Sequence, residues 1–175
     1  MSAGNASPNP LLRLGTSSWS TKDWVGKVYA PGTKPTEYVA QYAERFPTVE
    51  IDSTFYAIPR KSAVVGWRDR TPEGFVFAAK APQVITHEKF LENCAAERDA
   101  FLETMSLLDG RLGPILFQFP YYAKRTGVTA TGFLDRLAPF LADLPKEGFT
   151  FAVEVRNKPW IAKPLLDLLR KHNVA

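Results

Sequence analysis

The stretch FVFAAK, Phe75–Lys80, alternates two kinds of side chain. Successive residues of a strand point to opposite faces, so Phe75 and Phe77 fall on one side and Ala78 and Lys80 on the other. A lysine placed where a strand runs out is costly to bury without a partner. The same layout recurs three times. In TVEID (Thr48–Asp52), Glu50 and Asp52 oppose Val49 and Ile51. In ILFQF (Ile115–Phe119), Gln118 opposes Ile115, Phe117 and Phe119. In FAVEVR (Phe151–Arg156), Glu154 and Arg156 oppose Phe151 and Val153, and Ala152 shares the side of Glu154. Acids, cations and an amide thus converge at strand ends on one face, which reads as a site on an α/β scaffold.

Working outward, helical patterns separate these strands. A first strand is expected over Leu11–Thr16, followed by a loop with Trp19 and Trp24. A helix is expected to start near Thr33–Pro35, with proline suited to its first turn, and Tyr38, Val39, Tyr42, Ala43 and Phe46 recur at helical spacing. Ser62 is the expected N-cap of a helix carrying Val64, Val65 and Arg68. A longer helix over Asn93–Leu108 puts Leu102, Met105 and Leu108 on one stripe. The next, over Thr131–Leu144, contains Pro139 and is expected to kink or start late. The fifth strand spans Phe149–Arg156, the fifth helix Pro164–Lys171, and Asn173–Ala175 reads as entry to a sixth strand.

Repeated strand–helix units predict parallel strands with right-handed crossovers. Either an open doubly wound sheet or a (β/α) barrel of TIM type satisfies this. No G-x-G-x-x-G turn follows the first strand, which weakens the dinucleotide-binding version. Small residues beside the polar ones on the inward face favour the barrel. The expected fold is therefore α/β, the N-terminal five βα units of a TIM-type barrel, over residues 11–175. Such a barrel typically takes about 250 residues, so the reading is of a partial barrel, a piece of a longer protein, with oligomerisation through the open sheet edge as the alternative way to complete it.

Composition narrows the class. With 45% apolar and 23% charged residues over 175 positions, the chain reads as one soluble globular domain. A formal charge of +4 leans toward anionic partners, but no dense Lys/Arg run marks a nucleic-acid surface. The single cysteine, Cys94, excludes an intrachain disulfide and fits a reducing cytoplasm. MSAGNASPNP reads as a disordered tail over residues 1–10 and not as a signal peptide, and no apolar run approaches the ~20 residues a membrane span needs.

Five stretches in order resemble the DUF72 (YecE-like) family: GTSSWSTKDWVGKVY (Gly15–Tyr29), VEIDSTFYAIP (Val49–Pro59), GFVFAAKAPQVITH (Gly74–His87), LGPILFQFP (Leu112–Pro120) and FAVEVRNKPW (Phe151–Trp160). The resemblance implies a cytoplasmic TIM-barrel protein of uncertain biochemical function, whose later strands also line the pocket. The family pattern usually has Asn at the position of Asp52 and often His at that of Asn157.

Candidate roles follow from residue chemistry. Glu50 and Glu154 form a carboxylate pair suited to acid and base duties or to a divalent metal, and the alternative is a structural network neutralised by Lys80 and Arg156. Lys80 is a clamp for an anionic ligand, a Schiff-base nucleophile or an ion-pair partner. These three are the expected catalytic residues. Arg156 suits bidentate recognition of a carboxylate or phosphate, and Gln118 can orient a ligand. Thr16, Asp52 and His87 lie at strand ends, and Trp19, Trp24, Phe55, Tyr56 and Trp160 are expected around the mouth, as a lid or as stacking surfaces. No cofactor motif is evident. The expected partner is a small anionic or polyhydroxylated molecule, with hydrolysis or lyase chemistry. The alternatives are a nucleic-acid-binding, repair-like protein that stacks bases on the aromatic rim, and a silent binding barrel.

Overall fold

The computed structural model describes residues 12–175. The tail expected over residues 1–10, and Leu11 at the head of the expected first strand, lie outside the described residues. Four strands, β1 (Thr48–Ile51), β2 (Val76–Lys80), β3 (Leu112–Gln118) and β4 (Phe151–Glu154), form one sheet in the order β1-β2-β3-β4. All three pairings are parallel. Five helices alternate with them: α1 (Tyr38–Ala43), α2 (Lys61–Asp69), α3 (Ala95–Ser106), α4 (Ala130–Ala142) and α5 (Lys163–Lys171).

Strand alternation builds the core. Val49, Ile51, Phe77, Ala79, Ile115, Phe117 and Phe151 point to one side. There they join Tyr42, Val64, Phe101, Met105, Phe133, Leu137, Phe140 and Leu169 of the five helices in a single hydrophobic cluster. Ring packing is dense at this layer, with Phe117 edge-on to Phe140 at 5.0 Å and Phe119 edge-on to Phe133 at 4.9 Å. One cluster holding residues of every helix means that the helices cover one face of the sheet, which removes the doubly wound alternative. Glu50, Ala78, Lys80, Leu116, Gln118, Ala152 and Glu154 stay half-buried on the other face. The sheet does not close on itself.

Several element boundaries depart from the sequence reading. No strand forms over residues 12–16. Only Ser17 bridges β1, opposite Glu50, through Glu50 N–H donating to Thr16 O (3.0 Å) and Ser18 N–H to Glu50 O (2.8 Å). Ser18 then turns out of the extended region with φ 73°. At Gly15 the backbone passes so close to Thr48 that a Cβ would stand 2.0 Å from its carbonyl oxygen. The first helix is preceded by a single 3-10 turn at Pro35–Glu37, and α2 starts at Lys61, so Ser62 lies inside it. Thr129 caps α4 by accepting from Gly132 N–H at 3.1 Å, and the helix runs through Pro139 to Ala142.

The third strand is longer than expected because it contains a bulge. Phe77 pairs with Leu112 and Ala79 with Ile115, so one more residue lies on β3 than on β2 between the two pairs. Gly113 and Pro114 fill that stretch. A bulge tolerates proline, which has no N–H to give the ladder. At the far edge, Ala175 N–H donates to Phe151 O (3.0 Å) and Val153 N–H to Ala175 O (2.8 Å), the hydrogen bonds of a further parallel strand beside β4.

Candidate functional site

Backbone geometry gathers the polar residues at the C-terminal ends of the strands. β1 stops at Ile51, one residue earlier than expected, because residues Asp52–Phe55 wind into a 3-10 turn. The buried Thr54 fixes that turn: its hydroxyl lies 2.6 Å from Ile51 O and 2.6 Å from Lys80 O. Asp52 is thereby carried over the end of β2, where Lys80 Nζ donates to its Oδ1 at 3.1 Å. The Lys80 side chain is only 13% exposed, and its Nζ also sits 4.6 Å above the centre of the Phe55 ring. A cation on a π face beside a carboxylate is held in place by both.

Two strands along, the register pairs Gln118 with Glu154. Gln118 Nε2 donates to Glu154 Oε1 at 2.7 Å, and Arg156 Nε lies 3.6 Å from the same oxygen. Glu50 faces the same side. Burial pushes its carboxyl above the ordinary value of 4.5, Asp52 and Glu154 push the same way, and Lys80 opposes them. The two glutamates therefore have different surroundings: Glu154 has a hydrogen-bond donor and a cation against it, whereas Glu50 is partly desolvated between Lys80 and the carboxylates of Asp52 and Glu154.

His87 closes the cluster. It lies in a π-helical turn, Val84–Glu88, directly after β2, a helix variant frequent at functional sites. Its Nδ1 is 2.8 Å from Thr86 Oγ1, and its ring stands edge-on to Phe55 at 4.9 Å. Burial, then Lys80 and Arg156, push its pKa below the ordinary 6.5. Phe55 in turn contacts Tyr56, whose ring is 69% exposed at the rim. Glu50, Asp52, Phe55, Tyr56, Lys80, His87, Gln118, Glu154 and Arg156 thus form one neighbourhood.

Four expected site residues lie elsewhere. Thr16 is one position out of phase. Ser17 pairs with Glu50 and shares its face, whereas the Thr16 hydroxyl binds Ser18 O (2.9 Å) and Tyr42 Oη (3.0 Å) on the core side. Trp19 is buried, edge-on to Trp67 at 5.2 Å and to Phe77 at 5.9 Å, because the turn at Ser18 swings it into the helix layer. Trp24 stacks on Tyr42 at 6.2 Å, and Trp160 on Phe133 at 5.1 Å and Tyr122 at 5.6 Å, so both extend the core.

The sequence reading missed the role of Asn157. Buried Asn157 accepts from Tyr122 N–H at 2.8 Å and donates to Tyr122 O at 2.9 Å, clamping the loops after β3 and β4 together. Its place after a strand in FAVEVRN was the available signal. Cys94 is buried, and burial raises its thiol pKa, an environment for packing and not for nucleophilic attack. Among the described residues, no group of three or more His, Cys, Asp or Glu is placed to hold a metal ion, and no helix is long and apolar enough to cross a membrane.

Comparison with known proteins fixes the family. The family model "Protein of unknown function DUF72" matches residues 13–175. The chain belongs to the DUF72 family. Among curated relatives, the UPF0759 protein YecE of Escherichia coli is 34% identical over 154 residues, which is 87% of this chain and 51% of that protein. The UPF0759 protein YunF of Bacillus subtilis is 29% identical over 165 residues, 90% of this chain and 55% of that one. The DUF72 chain therefore spans about half the length of these relatives. Crystal structures of DUF72 family proteins from Enterococcus faecalis (TM-score 0.67, 28% identity) and Thermotoga maritima (TM-score 0.64, 26% identity) each match 93% of this chain, and 58% and 62% of their own.

Proposed function

We propose that residues 12–175 are part of a TIM-type barrel, four βα units preceded by the Ser17 bridge and α1, and that the strand ends form part of its ligand-binding mouth. Parallel strands in sequential order, helices confined to one face, and alanines beside the polar groups on the other support the barrel reading. The mouth is a small-molecule site for hydrolysis or lyase chemistry on an anionic or polyhydroxylated ligand.

One observation carries this reading: two glutamates on one face with unlike surroundings, Glu50 desolvated and Glu154 paired with Gln118 and Arg156. A carboxyl raised by burial suits a proton donor, and a second carboxyl on the same face can serve as the acceptor. Glu50 is assigned the acid, Glu154 the base, and Lys80 with Asp52 the positioning of the ligand. The nucleic-acid reading keeps only Phe55 and Tyr56 of its expected aromatic rim, since Trp19 is buried and Trp24 and Trp160 pack on the core.

The test is a turnover screen over glycosides, carboxyl esters and phosphate esters with wild-type, Glu50→Gln, Glu154→Gln and Lys80→Ala chains. Either glutamine substitution is expected to slow any turnover found by about 10²–10⁴-fold. Turnover that survives both glutamine variants unchanged would remove the acid/base assignment. A bound ligand with no turnover would leave a binding barrel in its place.

A further inference from the structure

The ligand class of this mouth follows from its charges and hydrogen-bonding groups, and the inference rests on the small-molecule site proposed above. The charges acting on Glu50 and His87 are Lys80 and Arg156 against Asp52, Glu154 and Glu88. Glu50 itself adds a further carboxyl. Each cation already has a carboxylate: Lys80 Nζ is 3.1 Å from Asp52, and Arg156 Nε is 3.6 Å from Glu154. His87, whose pKa is lowered, supplies no dependable positive charge at neutral pH.

An incoming phosphate or carboxylate would compete with Asp52 and Glu154 for these cations and settle beside the Glu50 carboxyl as well. Repulsion and the desolvation of the new charge both oppose that. An ammonium ligand meets Lys80 and Arg156 instead. A hydroxyl group donates and accepts at once. The face interleaves acceptors (Asp52 and Glu154) with donors (Lys80, Gln118 and Arg156), and the Glu50 carboxyl can do either, so neighbouring hydroxyls of a polyol find alternating partners without disturbing either ion pair.

An aromatic surface adjoins the polar face. Phe55 lies under Lys80 at 4.6 Å and meets Tyr56 at 5.3 Å, and the Tyr56 ring is 69% exposed. A sugar has hydroxyls on its rim and C–H groups on its flat face, so it can lie on such a ring while its edge is hydrogen-bonded. We propose that the mouth takes an uncharged polyhydroxylated ligand of the sugar class, its hydroxyls bridging Glu50, the Lys80–Asp52 pair and the Gln118–Glu154 pair, and its C–H face resting on Tyr56.

Amide NMR of the isotopically labelled chain tests this, with D-glucose, xylitol, inorganic phosphate and ethanolamine as probes at neutral pH. The expected result is saturable movement of the Glu50, Lys80, Gln118 and Glu154 amides by glucose or xylitol at lower concentration than by either charged probe. Tyr56→Ala, an exposed site whose loss leaves the core intact, is expected to weaken the glucose response about three- to tenfold. Phosphate or ethanolamine acting on the same amides at lower concentration overturns the sugar assignment and leaves the small-molecule site standing. An unchanged glucose response in Tyr56→Ala overturns the stacking contact. If none of the four probes moves those amides, the inference and the site reading fall together.

Discussion

Glu50 and His87 share one neighbourhood and respond to pH with opposite signs. The folded carboxyl of Glu50 titrates above its ordinary value of 4.5, chiefly through burial. As pH rises from 4.5 through that raised value, the native state still holds a proton that the unfolded chain has released. Stability therefore falls across this window. For His87, whose folded pKa lies below 6.5 chiefly through burial, the unfolded chain is the one that binds the proton below that pH. Its contribution is complete above 6.5 and is lost as pH falls through the window beneath it. Urea unfolding of wild-type, Glu50→Gln and His87→Gln chains between pH 4 and 8 separates the two. Relative to wild type, Glu50→Gln should gain stability as pH rises above 4.5, and His87→Gln should gain it as pH falls below 6.5. Parallel curves for all three would mean that neither group titrates abnormally.

At the scale of elements, the bulge between β2 and β3 sets the level at which Lys80 and Gln118 leave the sheet. Beyond it the register places Lys80 opposite Leu116 and Gln118 opposite Glu154. Gly113 permits the bulge, because a Cβ there would lie 2.4 Å from Val76 Cγ1 and 3.1 Å from Phe77 O. Gly113→Ala must shift a packed strand and is expected to cost about 1–3 kcal/mol. Denaturant melts read that loss, and a change below about 0.5 kcal/mol would show that the strands accommodate the methyl group without strain. Much of this scale was legible in the residues. Period-two alternation put Glu50, Lys80, Gln118 and Glu154 on one face before any coordinates, because burial of Val49, Phe77, Phe117 and Phe151 leaves a strand no other orientation. The tryptophans were not legible in this way. Whether a ring after a strand points to solvent or to the core depends on the local turn, and the positive φ of Ser18 that buries Trp19 has no signature in Ser-Ser-Trp. The same limit hid the bulge, since the alternation starts the strand at Ile115, whereas Gly113 and Pro114 act in the fold as part of it.

For the whole molecule, the sheet has a protected centre and two thin flanks. β2 and β3 are each paired on both sides, whereas β1 gains only the Ser17 bridge on its outer edge and β4 only Ala175. On the face carrying the candidate site, Glu50, Lys80, Gln118 and Glu154 are half-buried, and Tyr56 and Arg156 are exposed. Local opening begins where few groups must separate, so hydrogen exchange should release the amides of Glu50 and Val153 before those of Ala79 and Phe117. Unpaired strand edges also recruit other chains. If the open edges pair between copies, as the sheet geometry leads us to expect, protection at Ser18, Glu50, Val153 and Ala175 will increase with protein concentration, and sedimentation will give a mass above 19.5 kDa over the same range. Central amides should not respond, because β2 and β3 are flanked by strands on both sides within one chain, whereas the Ser17 bridge and Ala175 are short contacts that a docked copy would hold in place. Edge protection that is independent of concentration, with a monomer mass throughout, would rule out edge pairing between copies.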